Sequence, residues 1–215
     1  MVRLDIFSDP VCPWCYIGKA LLDRALEQHP DHPFVVEWQP FQLNPDMPSG
    51  GEDRRAYLEA KFGSKINAAR AYAQVEVAAT AAGVVIDFEQ MPRMPNTLNA
   101  HRLIHWAGLE GRQSAAMSAL FRAYFRDGRD IGEPEVLAAI GGEIGMDREM
   151  VARLLASDAD LEPIREREAH ARGRGINAVP TFIIADQHAL QGAQPTELWG
   201  RVIEDINRQM TGAAE

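Results

Sequence analysis

The chain has 215 residues, 46% hydrophobic and 25% charged, the balance of an ordinary globular protein able to bury a substantial core; neither a disordered nor a fibrous class fits. A formal net charge of -9 argues against nucleic acid as a partner, because affinity for phosphates rests on Lys and Arg. No stretch approaches the roughly 20 apolar residues that span a bilayer, and the opening residues, with one basic side chain before Asp5 and Asp9, lack the charged region and apolar run of a secretory signal. The expectation is a soluble, cytoplasmic protein without a membrane partner.

In chain order, Val2 to Phe7 alternates as a short strand and leads directly into Cys12-Pro13-Trp14-Cys15. From Pro13 to Gln28 the apolar residues Ile17, Leu21, Leu22, Ala25 and Leu26 follow helical spacing, with Lys19, Asp23 and Glu27 opposite, and Pro13 suits a first helical turn. After the breaker His29-Pro30-Asp31-His32-Pro33, Phe34 to Trp38 is rich in strand formers, completing a strand, helix, strand unit that implies a parallel pair. From Glu52 to about Leu155 the pattern turns Ala-rich and amphipathic, and reads as an all-helical insertion. Helical spacing continues over Asp158 to Arg172 until Gly173-Arg174-Gly175. Thr181 to Ala185 and Ala189 to Gln191 then form a hairpin about Asp186-Gln187-His188, and Pro195 opens a final helix carrying Leu198, Trp199, Val202, Ile203 and Ile206. The organisation is α/β: residues 1–50 and 156–215 as one unit, interrupted by a helical insertion at 51–155.

Two cysteines three apart at a helix start lie within disulfide reach, and the helix N-terminus favours a thiolate at Cys12. Cys15, one turn inward, is the natural resolving thiol. The chain holds no other cysteine, so the rival reading of Cys-x-x-Cys as half a zinc site has no second pair to complete it, and no metal is expected. His101 and His105 share a helix face but lack the acid and third ligand of a metal site. Val179-Pro180-Thr181 is, on its own, a proline that opens a strand. Met47, Met91 and Met94 read as scattered core or loop residues, with an adaptable apolar groove as the alternative.

Asp9-Pro10-Val11-Cys12-Pro13-Trp14-Cys15-Tyr16-Ile17-Gly18, Pro95-Asn96-Thr97 with Ala100-His101-Arg102, and Gly175 to Phe182 together resemble the DsbA-like family that includes FrnE-type proteins, over nearly the whole chain. That resemblance implies a thioredoxin fold with a helical insertion between its strand-helix-strand half and its hairpin-helix half. It implies that Pro180 is a cis proline beside the cysteines, with the Val179 backbone free to pair with an extended substrate. It also places Asn96, Thr97 and His101 near the cleft, where Asn96 and His101 would touch substrate along with Pro13 and Trp14; Asn96 as a plain helix cap is the alternative. Relatives carry an acid near the buried cysteine, so Asp5 is either a proton shuttle or an exposed strand carboxylate.

The function expected is thiol–disulfide oxidoreduction, in the reductive or isomerising direction, on protein or small-molecule thiols and disulfides. It requires no cofactor and has glutathione as a possible redox partner. Kappa-class glutathione transferases and 2-hydroxychromene-2-carboxylate isomerases look similar but place serine at Cys12 and Gly-Ser-Asp where this chain has Gly192-Ala193-Gln194. A glutathione-dependent isomerase or transferase of aromatic or polyketide-like molecules is therefore the first rival, and a redox-switched holdase the second. The sequence names neither the physiological substrate nor an oligomeric state.

Overall fold

A computed structural model describes residues 1–212. Strand β1 (Val2–Ser8) feeds helix α1 (Pro13–Gln28), and β2 (Phe34–Pro40) returns parallel to β1, with Val2 opposite Phe34 and Ser8 opposite Pro40. The insertion follows as β3 (Glu52–Asp53), α2 (Arg54–Phe62), α3 (Lys65–Ala81), a single 3-10 turn at Phe88–Gln90 and β4 (Arg93–Met94). It continues through α4 (Leu98–Leu109), α5 (Gln113–Phe125), α6 (Pro134–Glu143) and α7 (Arg148–Leu155). Helix α8 (Leu161–Gly173), the hairpin β5 (Thr181–Ile184) and β6 (His188–Gln191), and α9 (Thr196–Gly212) complete the described chain. The main sheet has the order β2-β1-β5-β6, with β5 antiparallel to both of its neighbours. This is the expected thioredoxin arrangement of a parallel βαβ unit joined to an antiparallel hairpin and a closing helix.

Strand alternation sorts the core into two layers. Leu4 and Ile6 of β1, Phe34 and Trp38 of β2 and Phe182 of β5 bury themselves with Trp199 and Ile203 of α9 and Cys15 of α1. Trp199 meets Phe34 and Phe182 edge-on, at ring centroid separations of 6.4 and 4.8 Å. Phe7, on the opposite face of β1, packs with Phe41, Ala171 and Ile176 beneath α8.

The outer edge of β2 is closed by a side chain. The Gln113 amide accepts from Trp38 N–H at 2.8 Å and donates to Trp38 C=O at 3.0 Å, reproducing one rung of a missing neighbour strand. Ser114 Oγ accepts from the Trp38 indole at 2.9 Å.

The insertion departs from the all-helical expectation at one point: Glu52 pairs with Met94 and Asp53 with Arg93 as a two-residue antiparallel ladder. Gly51 permits it. Its φ of 66° lies in the left-handed region, and a Cβ there would stand 2.5 Å from Met94 O, so no other residue lets the two backbones approach. Arg102 of α4, almost fully buried, donates to the carbonyls of Leu154, Ser157 and Ala159, which satisfies the exposed end of α7 and ties the α7–α8 connection to α4. No helix among the described residues is long and apolar enough to cross a membrane.

Candidate active site

The end of β1 and the start of α1 bring Cys12 to a helix N-cap. Cys12 N–H donates to Asp9 C=O at 2.9 Å, and Cys12 C=O accepts from Cys15 and Tyr16 N–H at 3.1 and 3.2 Å. An N-cap usually carries an oxygen that pairs with the free N–H groups of the first turn. Here no side chain caps α1 and no acid lies in its first turn, so the positive end of the helix is offered to the Cys12 sulfur. Pro13, at the first helical position, leaves no extra donor there.

Across from Cys12 stands the loop before β5. The Val179–Pro180 bond is cis, and Cys12 Sγ donates to Val179 C=O at 3.7 Å. Pro180 packs on α1 at Gly18, where a Cβ would lie 3.2 Å from Pro180 Cγ. Both cysteines are unpaired thiols and buried. Burial pushes the Cys15 thiol well above its ordinary range, and the neighbouring Cys12 adds to the effect; the Ser8 hydroxyl and the Asp9 backbone N–H oppose it.

Cys12, Pro13, Trp14 and Val179 line a cavity of about 310 Å³. Its far wall comes from the insertion, with Tyr57, Leu58 and Phe62 of α2 and Tyr72 and Val75 of α3. All three methionines belong to the buried core, and Met47 and Met94 line this cavity as well, whereas Met91 does not. Trp14, 37% exposed, forms the rim.

Asp9 also lines this cavity, and the sequence reading did not single it out. Its carboxylate accepts from Leu43 N–H at 2.7 Å and Val11 N–H at 3.4 Å, bracing the cysteine turn against the segment after β2. The Thr97 side chain favours the charged form as well, yet burial outweighs these contributions and pushes Asp9 up to about 7. His101 Nε2 lies 4.0 Å from Asp9 Oδ1. Burial brings His101 down to about 3, so at neutral pH this contact involves a neutral imidazole and is not an ion pair.

Three expected site residues are placed elsewhere. Asp5 is buried, not exposed, and faces α8 on the side of the sheet opposite Cys15, where it accepts from Arg3 at 2.7 Å and Gln39 at 2.5 Å. Asn96 opens on a separate cleft of about 740 Å³ and is used internally, donating to Met47 C=O at 2.6 Å and accepting from Leu98 N–H at 2.9 Å; Thr97 takes its place in the cavity wall. His101 stands behind Asp9 and is absent from the cavity lining, so it reaches the site only through that carboxylate. His105, on the same helix, meets Arg167 at 3.4 Å. Among the described residues no group of three or more His, Cys, Asp or Glu is arranged to hold a metal ion.

Similarity to known proteins follows this architecture. YwbO of Bacillus subtilis (strain 168), an uncharacterized protein, is 28% identical over 213 residues, covering 97% of this chain and 98% of that protein. The crystal structure of a probable DsbA oxidoreductase from Streptomyces coelicolor superposes with a TM-score of 0.84 at 31% identity, over 95% of this chain and 89% of that one. A 2-hydroxychromene-2-carboxylate isomerase shares the fold, with a TM-score of 0.75 at 17% identity over 99% of this chain and 100% of that one. The model of the DSBA-like thioredoxin domain matches residues 3–203, taking in the sheet, the cysteine turn and the whole insertion, and the chain belongs to that family.

Proposed function

We propose that this protein is a dithiol–disulfide oxidoreductase working through Cys12 and Cys15. The observation that carries the reading is the position of Cys12 Sγ, at an uncapped helix N-terminus, on the wall of a cavity, with the free thiol of Cys15 buried one turn behind. In the reductive direction the Cys12 thiolate attacks a substrate disulfide R–S–S–R′, forming Cys12–S–S–R and releasing R′–S⁻, which takes up from solvent a proton equivalent to the one Cys12 lost on ionising. Cys15 then attacks Cys12 Sγ, forming the Cys12–Cys15 bond and releasing R–SH; the substrate gains two electrons and the protein loses them. The oxidative direction is the reverse.

The Val179 carbonyl faces the attacking sulfur, just before Pro180, a position that suits main-chain pairing with an extended substrate. Trp14 and Pro13 supply the apolar rim. The cycle uses no metal, flavin or nucleotide. Its substrates are protein or small-molecule thiols and disulfides, with glutathione the candidate small thiol that resets the pair in the cytoplasm.

The test is equilibration of the pure protein against glutathione redox buffers, read by Trp fluorescence and by thiol alkylation. A reversible two-electron couple between about -120 and -270 mV is the expected result, and its position sets the working direction. Absence of a Cys12–Cys15 disulfide under every buffer, together with tight binding of reduced glutathione, would overturn the reading in favour of a glutathione-dependent isomerase or transferase.

A further inference from the structure

Ser8 is the last residue of β1 and shares the strand face of Leu4 and Ile6, turned toward α1. It is 1% exposed, and its hydroxyl has no hydrogen-bond partner. A buried hydroxyl left unpaired is destabilising, and a group that tolerates this in one state of a protein often gains its partner in another. Cys15, in the first turn of α1, packs against this same face of β1, and the Ser8 hydroxyl acts on its thiol in the sense that favours the charged form. A neutral thiol is a weak acceptor and leaves the hydroxyl unsatisfied; a thiolate at the same place is a strong one.

We propose that the Ser8 hydroxyl is the hydrogen-bond donor to the Cys15 thiolate, engaged only while Cys15 resolves the mixed disulfide on Cys12. The inference rests on the oxidoreductase reading above. In the step concerned, Cys15–SH and Cys12–S–S–R become the Cys12–Cys15 disulfide and R–SH. The Cys15 proton ends on the departing thiolate, so atoms, charge and electrons balance without a further reactant.

The need for such a donor follows from the surroundings. The titratable group acting on Cys15 is Cys12 on the same helix; further off stand the Asp9 carboxyl in the preceding turn, with His101 of α4 and Tyr124 of α5 beside Asp9, and Tyr72 of α3, which acts on Cys12. Lys19, one turn further along α1, is held by Asp23. The buried His101 is neutral, so the field available to the Cys15 thiolate comes from dipoles: the Asp9 backbone N–H and the Ser8 O–H. Asp9 Oδ1 and Oδ2 are turned toward Val11 and Leu43.

The experiment loads Cys12 with 5-thio-2-nitrobenzoate and follows release of the coloured thiol by stopped flow across a range of pH. Ser8→Ala is expected to release it about tenfold more slowly at pH 7, a loss equivalent to one hydrogen bond to a charged group, and its rate profile should shift to higher pH and converge with the unaltered protein once Cys15 is ionised. Ser8→Thr, which keeps the hydroxyl, should restore the rate. Because the hydroxyl is unpaired in the dithiol state, Ser8→Ala should melt no lower than the parent in reductant, which separates this role from a structural one. A Ser8→Ala protein whose release rate and pH profile equal the parent's overturns the proposal alone, as does one whose melting temperature falls along with the rate. Release from the parent that does not depend on Cys15, judged by Cys15→Ser, overturns the oxidoreductase reading with it.

Discussion

Asp9 Oδ1 and His101 Nε2 meet at 4.0 Å, both buried, and burial drives the two groups in opposite directions, the carboxyl up to about 7 and the imidazole down to about 3. Both are thereby biased toward their neutral forms. Asp9 braces the cysteine turn by accepting from Val11 and Leu43 N–H, and the neutral His101 beside it adds no fixed charge pair near the reacting sulfurs.

This arrangement has a signature in stability against pH. Asp9 is raised from 3.8, so its contribution to folding is complete below pH 3.8 and is lost as pH climbs through about 7. His101 is depressed from 6.5, so its contribution is complete above pH 6.5 and is lost as pH falls toward about 3. Each amounts to something on the order of 4 kcal/mol across its window, and between about pH 4 and 6.5 they oppose each other. Urea denaturation of the reduced protein should therefore give Asp9→Asn a stability that rises with pH over this window relative to the parent, and His101→Gln one that falls. Two variants that both track the parent would show that the pair titrates as ordinary solvated groups.

The two thiols should be chemically distinct. Both are buried, but Cys12 lines the cavity at the helix end, while Cys15 lies outside it with its thiol held well above the ordinary range. Iodoacetamide at pH 7 should modify Cys12 in the reduced native protein at least about tenfold faster than Cys15, as read by peptide mass spectrometry. Equal labelling of both positions would contradict this asymmetry.

Asn96 separates a binding role from a structural one. It bridges Met47 C=O and Leu98 N–H outside the cavity, so Asn96→Ala should lower stability by about 1 kcal/mol, the worth of a helix-start hydrogen bond, and leave turnover of a small disulfide within about twofold. A raised KM with unchanged stability would return Asn96 to the substrate site.

The difference between Asp5 and Asp9 illustrates what a sequence can carry. Both are acids near the cysteines, and a resemblance favours Asp5. Strand alternation at β1 instead sends Asp5 with Phe7 toward α8 and sends Leu4, Ile6 and Ser8 toward α1. The parity of the strand was readable from Val2 to Phe7, but which parity faced α1 was not, because that depends on the side on which α1 and α9 dock. Asp9 lies past the strand, in a turn without periodicity, and its role exists only because Leu43, Thr97 and His101, far away in sequence, converge on it.

The sequence by itself determined what depends on local spacing. The run from Pro13 to Gln28 is helical because its apolar residues recur every three or four positions behind a proline, and the two cysteines fall at its first turn because they are adjacent to that start. The strand-rich stretches at Phe34 and Thr181 likewise announced themselves as parts of a sheet. Tertiary structure alone decided which buried polar groups meet at the site, that α2 and α3 close the cavity over Cys12, and that the Ser8 hydroxyl lies unpaired beside Cys15. Those outcomes are set by packing between segments tens of residues apart, where the desolvation of a few polar atoms, rather than any periodic pattern, fixes their chemistry.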